Sequence, residues 1–166
     1  MYSIGDRIVY PMYGAGVIED IEEREILGSK QNYYVLKIPV GSMKVLVPMS
    51  KIDDVGIRDL SDESMVDKVF SILKEGSGCI EEINWNKRYR DNMSKLRTGD
   101  ILNVADVVCS LMTRERDRGL STGEKKMLSN AKQILISELV LIKGWDQRFV
   151  DDKLCEYIYD NKAKAQ

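Results

Sequence analysis

The sequence predicts an α+β protein in two modules, a small five-strand β-barrel followed by an all-α domain of about five helices. Three observations predict it. The first sixty residues alternate short β-branched and aromatic runs with Gly or Pro stops, the pattern of a small barrel. After about residue 60 the apolar spacing changes to the three-and-four spacing of amphipathic helices. All the prolines, Pro11, Pro39 and Pro48, come before that change and fall at strand ends, where a missing N–H does least harm. The modules are therefore assigned to residues 1–58 and 59–166, the second carrying a C-terminal extension. A barrel of about 55 residues is marginal by itself.

Each element follows from its residues. Arg7-Ile8-Val9-Tyr10 forms a strand stopped by Pro11, and Tyr13-Gly14-Ala15-Gly16 reads as the turn after it. Val17 to Glu22 continues as a strand toward Ile26, and Leu27-Gly28-Ser29-Lys30 turns the chain again. Asn32–Ile38 and Ser42–Val47 are the next strands; the adjacent Tyr33 and Tyr34 point to opposite faces, so one of them is expected at the surface. Asp62–Lys74 gathers Met65, Val69, Phe70, Ile72 and Leu73 on one helical face, with Ser61 or Asp62 as N-cap. Asn84–Arg97 repeats Trp85, Tyr89, Met93 and Leu96 at helical spacing. Asp100 caps a helix striped by Leu102, Val104, Val108, Leu111 and Met112, and Gly119 ends it. Ser121-Thr122-Gly123-Glu124 is a capping box opening a helix that runs to Gly144. Gln147–Tyr159 is a last short docked helix, and Asn161–Gln166 is expected to fray.

Composition narrows the function. The chain has no histidine and no CxxC pair, which removes His-dependent triads and makes a zinc site improbable. It contains neither a GxxxxGK[ST] loop nor a GxGxxG turn, so nucleotide binding has no motif. No catalytic residue, metal ligand or cofactor is assigned, and the balance favours binding over catalysis. Cys79, Cys109 and Cys155 are scattered and odd in number, the usage of free thiols in a reducing compartment. Cys109 and Cys155 lie on apolar stripes and are expected to be buried, and Cys79 to be exposed. The methionines Met65, Met93, Met112 and Met127 sit at core spacing. No signal peptide or membrane span is visible.

The formal charge of −2 hides a basic segment: Trp85–Gln133 holds 11 basic residues against 6 acidic ones. That excess suits either a solvated helix surface with i,i+4 pairs or a phosphate-binding face built on Lys87, Arg88, Arg90, Lys125 and Lys126. Trp85 is equally two-sided. A Trp opening an apolar stripe is ordinarily core, whereas one at a helix tip ringed by Lys and Arg suits a wedge that stacks on a base.

Several segments carry a resemblance. Ile4-Gly5-Asp6-Arg7-Ile8-Val9-Tyr10-Pro11-Met12-Tyr13-Gly14-Ala15-Gly16, Tyr34–Ile38, Val45–Pro48 and Val55–Asp59 stand in order in the first module. Asn84-Trp85-Asn86-Lys87-Arg88-Tyr89-Arg90, Arg118–Leu128 and Ala131–Leu135 stand in order in the second. Over residues 3–142 the chain resembles the bacterial CarD/CdnL-type transcription regulators. The resemblance implies a Tudor/SH3-like barrel, of the kind shared with the transcription-repair coupling factor, that docks on the RNA polymerase β subunit. It implies a helical domain lying on promoter DNA at the upstream edge of the bubble. On this resemblance Trp85 is a minor-groove wedge that holds the open complex, and Lys87, Arg88, Arg90 and Lys125 or Lys126 sit near phosphates. Arg24, Leu46 and Pro48 are the candidate polymerase contacts. Family members often carry Arg at the positions of Arg24 and Leu46, so Leu46 departs from the pattern. The location implied is the bacterial cytoplasm, at the nucleoid through polymerase. The expected state is a monomer, with strand exchange between two copies open to a small barrel with bare edges. A protein–protein adaptor on polymerase, without DNA contact, is the alternative; there Trp85 is core and the basic excess is a solvated face.

Overall fold

The computed structural model describes residues 2–76 and 84–160. The reading of Cys79 and that of the terminal segment lie outside the described residues. Strands β1 (Arg7–Tyr10), β2 (Gly14–Ile26), β3 (Ser29–Ile38), β4 (Met43–Pro48) and β5 (Arg58–Asp59) form one barrel-like antiparallel sheet in the order β4-β3-β2-β1-β5. A single helical turn, α1 (Ile52–Val55), bridges β4 and β5. Five helices follow: α2 (Ser64–Glu75), α3 (Trp85–Arg97), α4 (Ile101–Asp117), α5 (Thr122–Lys143) and α6 (Gln147–Cys155), the last running into a π-helical turn at Glu156–Asp160. The predicted α+β architecture in two modules is therefore the one found.

The first turn is placed differently from the reading of the sequence. The chain reverses at Pro11–Tyr13, where Met12 takes a φ of 75° and Tyr13 N–H reaches Tyr10 O at 2.9 Å. Gly14 and Gly16 belong to β2 itself. They are needed there for close approach. A Cβ on Gly14 would stand 2.7 Å from Ser137 Oγ of α5, and one on Gly16 would stand 2.6 Å from the Lys37 carbonyl. The β2–β3 turn is tighter than expected: Leu27 (φ 51°) and Gly28 (φ 80°) make it alone, while Ser29 and Lys30 already pair with Ile26 and Glu25.

Tyr33 and Tyr34 are both buried, at 8% and 0% exposure, so the expected surface tyrosine is absent. Tyr34 faces the core with Leu36 and Ile38. Tyr33 does point to the other face, where its cross-strand neighbours Glu22 and Pro48 flank it. Ser61 and Asp62 do not cap α2 with their side chains. Ser61 is engaged elsewhere: its N–H donates to Glu138 at 2.9 Å and its hydroxyl accepts from Arg58 at 3.3 Å. Cys109 is buried as expected, but Cys155 at the end of α6 is only half-buried. Burial and the Asp151 charge push its thiol pKa up, which keeps it protonated.

One hydrophobic core runs through both modules, from Ile8, Ile18 and Leu36 of the sheet to Val69, Val108, Leu135 and Leu154 of the helices. The seam is α5 against β2. Buried Ser137 accepts from Ala15 N–H at 2.9 Å and donates to Ile134 O at 2.8 Å, so its hydroxyl is satisfied where it is buried. Arg58 of β5 forms a two-pronged pair with Glu138 of α5 at 2.9 and 2.8 Å, and donates to Gly99 O at 2.8 and 2.6 Å. Glu138 is 1% exposed. Removing one partner of a buried pair leaves the other uncompensated. Glu138→Gln is therefore expected to lower the unfolding free energy by about 2–4 kcal/mol, measured by urea denaturation at neutral pH.

Candidate nucleic-acid interface and docking face

Helix α3 begins cleanly because Asn84 caps it, its side-chain oxygen accepting from Lys87 N–H at 3.2 Å. Trp85 is thereby the first helical residue. It is neither core nor fully solvated: the residue is 42% exposed. One face stacks on Tyr89, with centroids 5.2 Å apart and planes 22° from parallel. Its Nε1–H donates to Ser121 Oγ, the N-cap of α5, at 3.0 Å. Gly123 lies under both rings, its Cβ position 3.7 Å from Tyr89 and 3.8 Å from Trp85.

The capping box read from sequence is formed, and it does more than cap. Ser121 Oγ accepts from Glu124 N–H at 3.2 Å. The Glu124 carboxylate, 2% exposed, takes a two-pronged grip from Arg88 at 2.8 and 3.1 Å. Burial pushes the Glu124 pKa up, but the Arg88 hydrogen bonds and charge, with help from Ser121, outweigh it and hold the carboxyl below its ordinary value. Arg88 is thus directed onto α5, its side chain 10% exposed.

The expected cations do not form one cluster. Lys87 and Arg90 are exposed on the outer face of α3, roughly 140–200° around the helix from Trp85. Lys126 is exposed one turn beyond Gly123, alongside the indole end of α5. Lys125 lies on a different face of α5, lining a groove with Glu115, Lys132 and Asp151. Other basic residues of the segment are paired internally: Lys95 with Asp106, Arg116 with Asp117 at 2.8 Å, and Lys132 with Asp151 at 3.0 Å. Tyr89, Ser121 and Glu124 had no place among the candidate contacts. The i,i+4 spacing of Trp85 and Tyr89 and the S-x-x-E box were the signals that mark them.

A second face lies on the sheet. Arg24 pairs with Gln31, Pro48 with Tyr33 and Leu46 with Val35. Opposed residues and alternate residues share a face, so Arg24, Leu46 and Pro48 stand together on the outer side, two strands apart with β3 between. Leu46 is half-buried and Arg24 is exposed, with a surface pair to Glu22 at 3.0 Å. β4 is an edge strand of the sheet, which leaves backbone groups available for pairing.

Fold and surfaces together define a two-module protein in which a small sheet with a bare edge is fixed to a helical body bearing a half-exposed Trp. No group of side chains suited to hold a metal ion occurs among the described residues, and no helix among them is long and apolar enough to cross a membrane. Residues 2–61 match the family described as CarD-like/TRCF RID domain, and residues 68–154 match CarD, C-terminal domain. The chain is 44% identical over 144 residues to "Putative transcription factor YdeB" of Bacillus subtilis, covering 87% of this chain and 94% of that protein. It is also similar to the 72-residue N-terminal domain of Myxococcus xanthus CarD (29% identity, 36% of this chain and 79% of that one, TM-score 0.32). Another similar structure is CdnLNt of the same organism (36% identity, 38% and 89%, TM-score 0.33). The chain belongs to the CarD-like family of transcription factors.

The Arg88–Glu124 pair gives a pH-dependent expectation. A carboxyl held below its ordinary value adds stability that is complete above that value and is lost as pH falls through the lowered one. Glu124→Gln should therefore destabilise the protein by about 1–3 kcal/mol at pH 7. The gap to wild type should narrow steadily toward pH 3, read by paired urea titrations.

Proposed function

We propose that this protein is a transcription regulator that docks on the RNA polymerase β subunit and presents Trp85 to promoter DNA at the upstream edge of the bubble. The observation that carries the reading is the half-exposed indole, fixed at the corner of α3 and α5 rather than packed into the core. Membership of the CarD-like family supports the transcription role, and the match of residues 2–61 supports docking through the sheet. Docking is assigned to the outer face with Arg24, Leu46 and Pro48 and to the β4 edge. With Leu in place of the family's frequent Arg, Leu46 contributes apolar contact rather than charge.

Inserting an aromatic wedge into relaxed duplex costs a few kcal/mol of unstacking. At the junction of a melted bubble that cost is partly met already, so the wedge binds the open state better than the closed one. Only such a difference in affinity shifts a population. Lys87, Arg90 and Lys126 supply phosphate attraction without sequence preference. Arg88 serves by holding α3 to α5, and Lys125 contributes at most from the side groove. Contacts this few suffice when polymerase supplies the local concentration.

Trp85→Ala is expected to shorten the factor-dependent lifetime of the open complex about tenfold, close to that of polymerase alone, with polymerase affinity unchanged. An unchanged lifetime in a folded variant removes the wedge and leaves the adaptor reading. Leu46→Asp is expected to weaken polymerase binding by about tenfold or more, measured on the full chain by fluorescence anisotropy, without loss of helix content. Lys87→Ala and Arg90→Ala should each flatten the salt dependence of DNA contact by about one unit of slope.

A further inference from the structure

Trp85 sits at the first position of a helix with 42% of its surface open. Such a side chain samples several rotamers unless something holds it. Tyr89 stacks on one ring face and Ser121 takes the indole's only donor, and the hydrogen bonds of Ser121 show how. A serine hydroxyl has one proton and two lone pairs. Here the oxygen accepts from Trp85 Nε1–H at 3.0 Å and from Glu124 N–H at 3.2 Å, and it lies 3.2 Å from Glu124 Oε1. A carboxylate only accepts, and neither nitrogen can accept a proton, so the hydroxyl proton is directed onto Glu124. Both lone pairs then face the indole and the backbone. The two-pronged contact with Arg88 keeps Glu124 ionised and in place.

We propose that Ser121 is a positioning residue for Trp85, and that the chain Arg88–Glu124–Ser121 fixes both the rotamer of the indole and the polarity of the hydroxyl that grips it. The capping box of α5 therefore presets the wedge before DNA is met. Preorganisation of this kind removes the ordering cost from the binding step. The inference rests on the proposed wedge for its consequence on DNA, but the grip itself is a property of the free protein.

The test uses the full chain with Trp145→Phe, so that Trp85 is the sole indole. Ser121→Gly separates gripping from capping, because Gly is nearly as good an N-cap as Thr yet has no hydroxyl. Ser121→Gly is expected to move the Trp85 indole N–H resonance, to raise acrylamide quenching about twofold and to leave helix content intact. Ser121→Thr should restore both signals. With polymerase and promoter, Ser121→Gly should shorten the open-complex lifetime three- to tenfold at unchanged polymerase affinity, and Thr should rescue it. An indole signal unchanged in Ser121→Gly overturns the inference whatever Trp85 does on DNA. A moved signal with a wild-type lifetime, while Trp85→Ala loses the effect, overturns the positioning role and leaves the wedge standing. If Trp85→Ala itself has no effect, the wedge falls and takes the role of Ser121 on DNA with it.

Discussion

The contact of Arg58 with Glu138 fixes where the two modules stand relative to each other. Arg58 ends the sheet on β5, Glu138 lies in the second half of α5, and the same guanidinium reaches the Gly99 carbonyl between α3 and α4. One side chain thus ties the last strand, the central helix and the corner from which α3 runs back. Pro11 presses on that corner as well. A Cβ on Gly99 would lie 2.9 Å from the Pro11 ring, and Gly99 itself needs a φ of 71°. A small sheet that would be marginal alone is held by borrowing its core and its polar seam from α5. Such a buried pair adds less net stability than its Coulomb energy suggests, since both ions lose water on burial. An arrangement of the modules that parted them would leave the buried carboxylate orphaned.

Glu124 repeats the device at the other end of the same helix. Glu124 and Glu138 are 14 residues apart, which places them roughly 21 Å apart along α5 and on nearly the same side. Each is buried, and each receives a two-pronged arginine from another element, Arg88 of α3 or Arg58 of β5. α5 is therefore a rail with two fixed stations. One sets the sheet and the other sets the tip of α3 with Trp85. In the proposed reading, the distance between the polymerase-docking face and the wedge is measured along this rail, so flexion between modules does not blur it.

Features written within a few residues were legible in the sequence. Asp100 and Ser121 cap the helices that their positions announce, and Gly144 closes α5 with a left-handed φ of 68°. The strands and the apolar stripes were equally plain, because their period is local. What escaped depends on partners far along the chain. Gly14 and Gly16 looked like a turn because nothing nearby reveals that α5 and the Lys37 carbonyl press on them. Ser61 looked like a cap because Glu138 lies 77 residues away. Arg88 sits in a run of cations, and its grip on Glu124, 36 residues on, is invisible locally. Tyr33 obeyed the strand alternation, and its burial came from cross-strand neighbours that alternation does not weigh.

The same non-locality changes the electrostatic argument. Counted along the chain, Trp85–Gln133 has a surplus of five positive charges. Counted in space, Arg88, Lys95, Arg116 and Lys132 each face a carboxylate. Pairing does not alter the net charge, but the adjacent carboxylate offsets each cation's field at short range, even for Arg116, which stays at the surface. The outward attraction then rests on exposed residues such as Arg90 and Lys126. In the proposed reading, a surface of that strength needs polymerase to bring it to DNA, since nonspecific affinity scales with the number of phosphates neutralised. It also leaves closed duplex weakly held, as the proposed preference for one promoter state requires. Under the proposed function the preference comes from the indole, whose gain depends on whether a base step is already unstacked. Weak charge and a rigid wedge are then complementary. More cations would raise affinity for both states alike and dilute the difference that shifts the equilibrium.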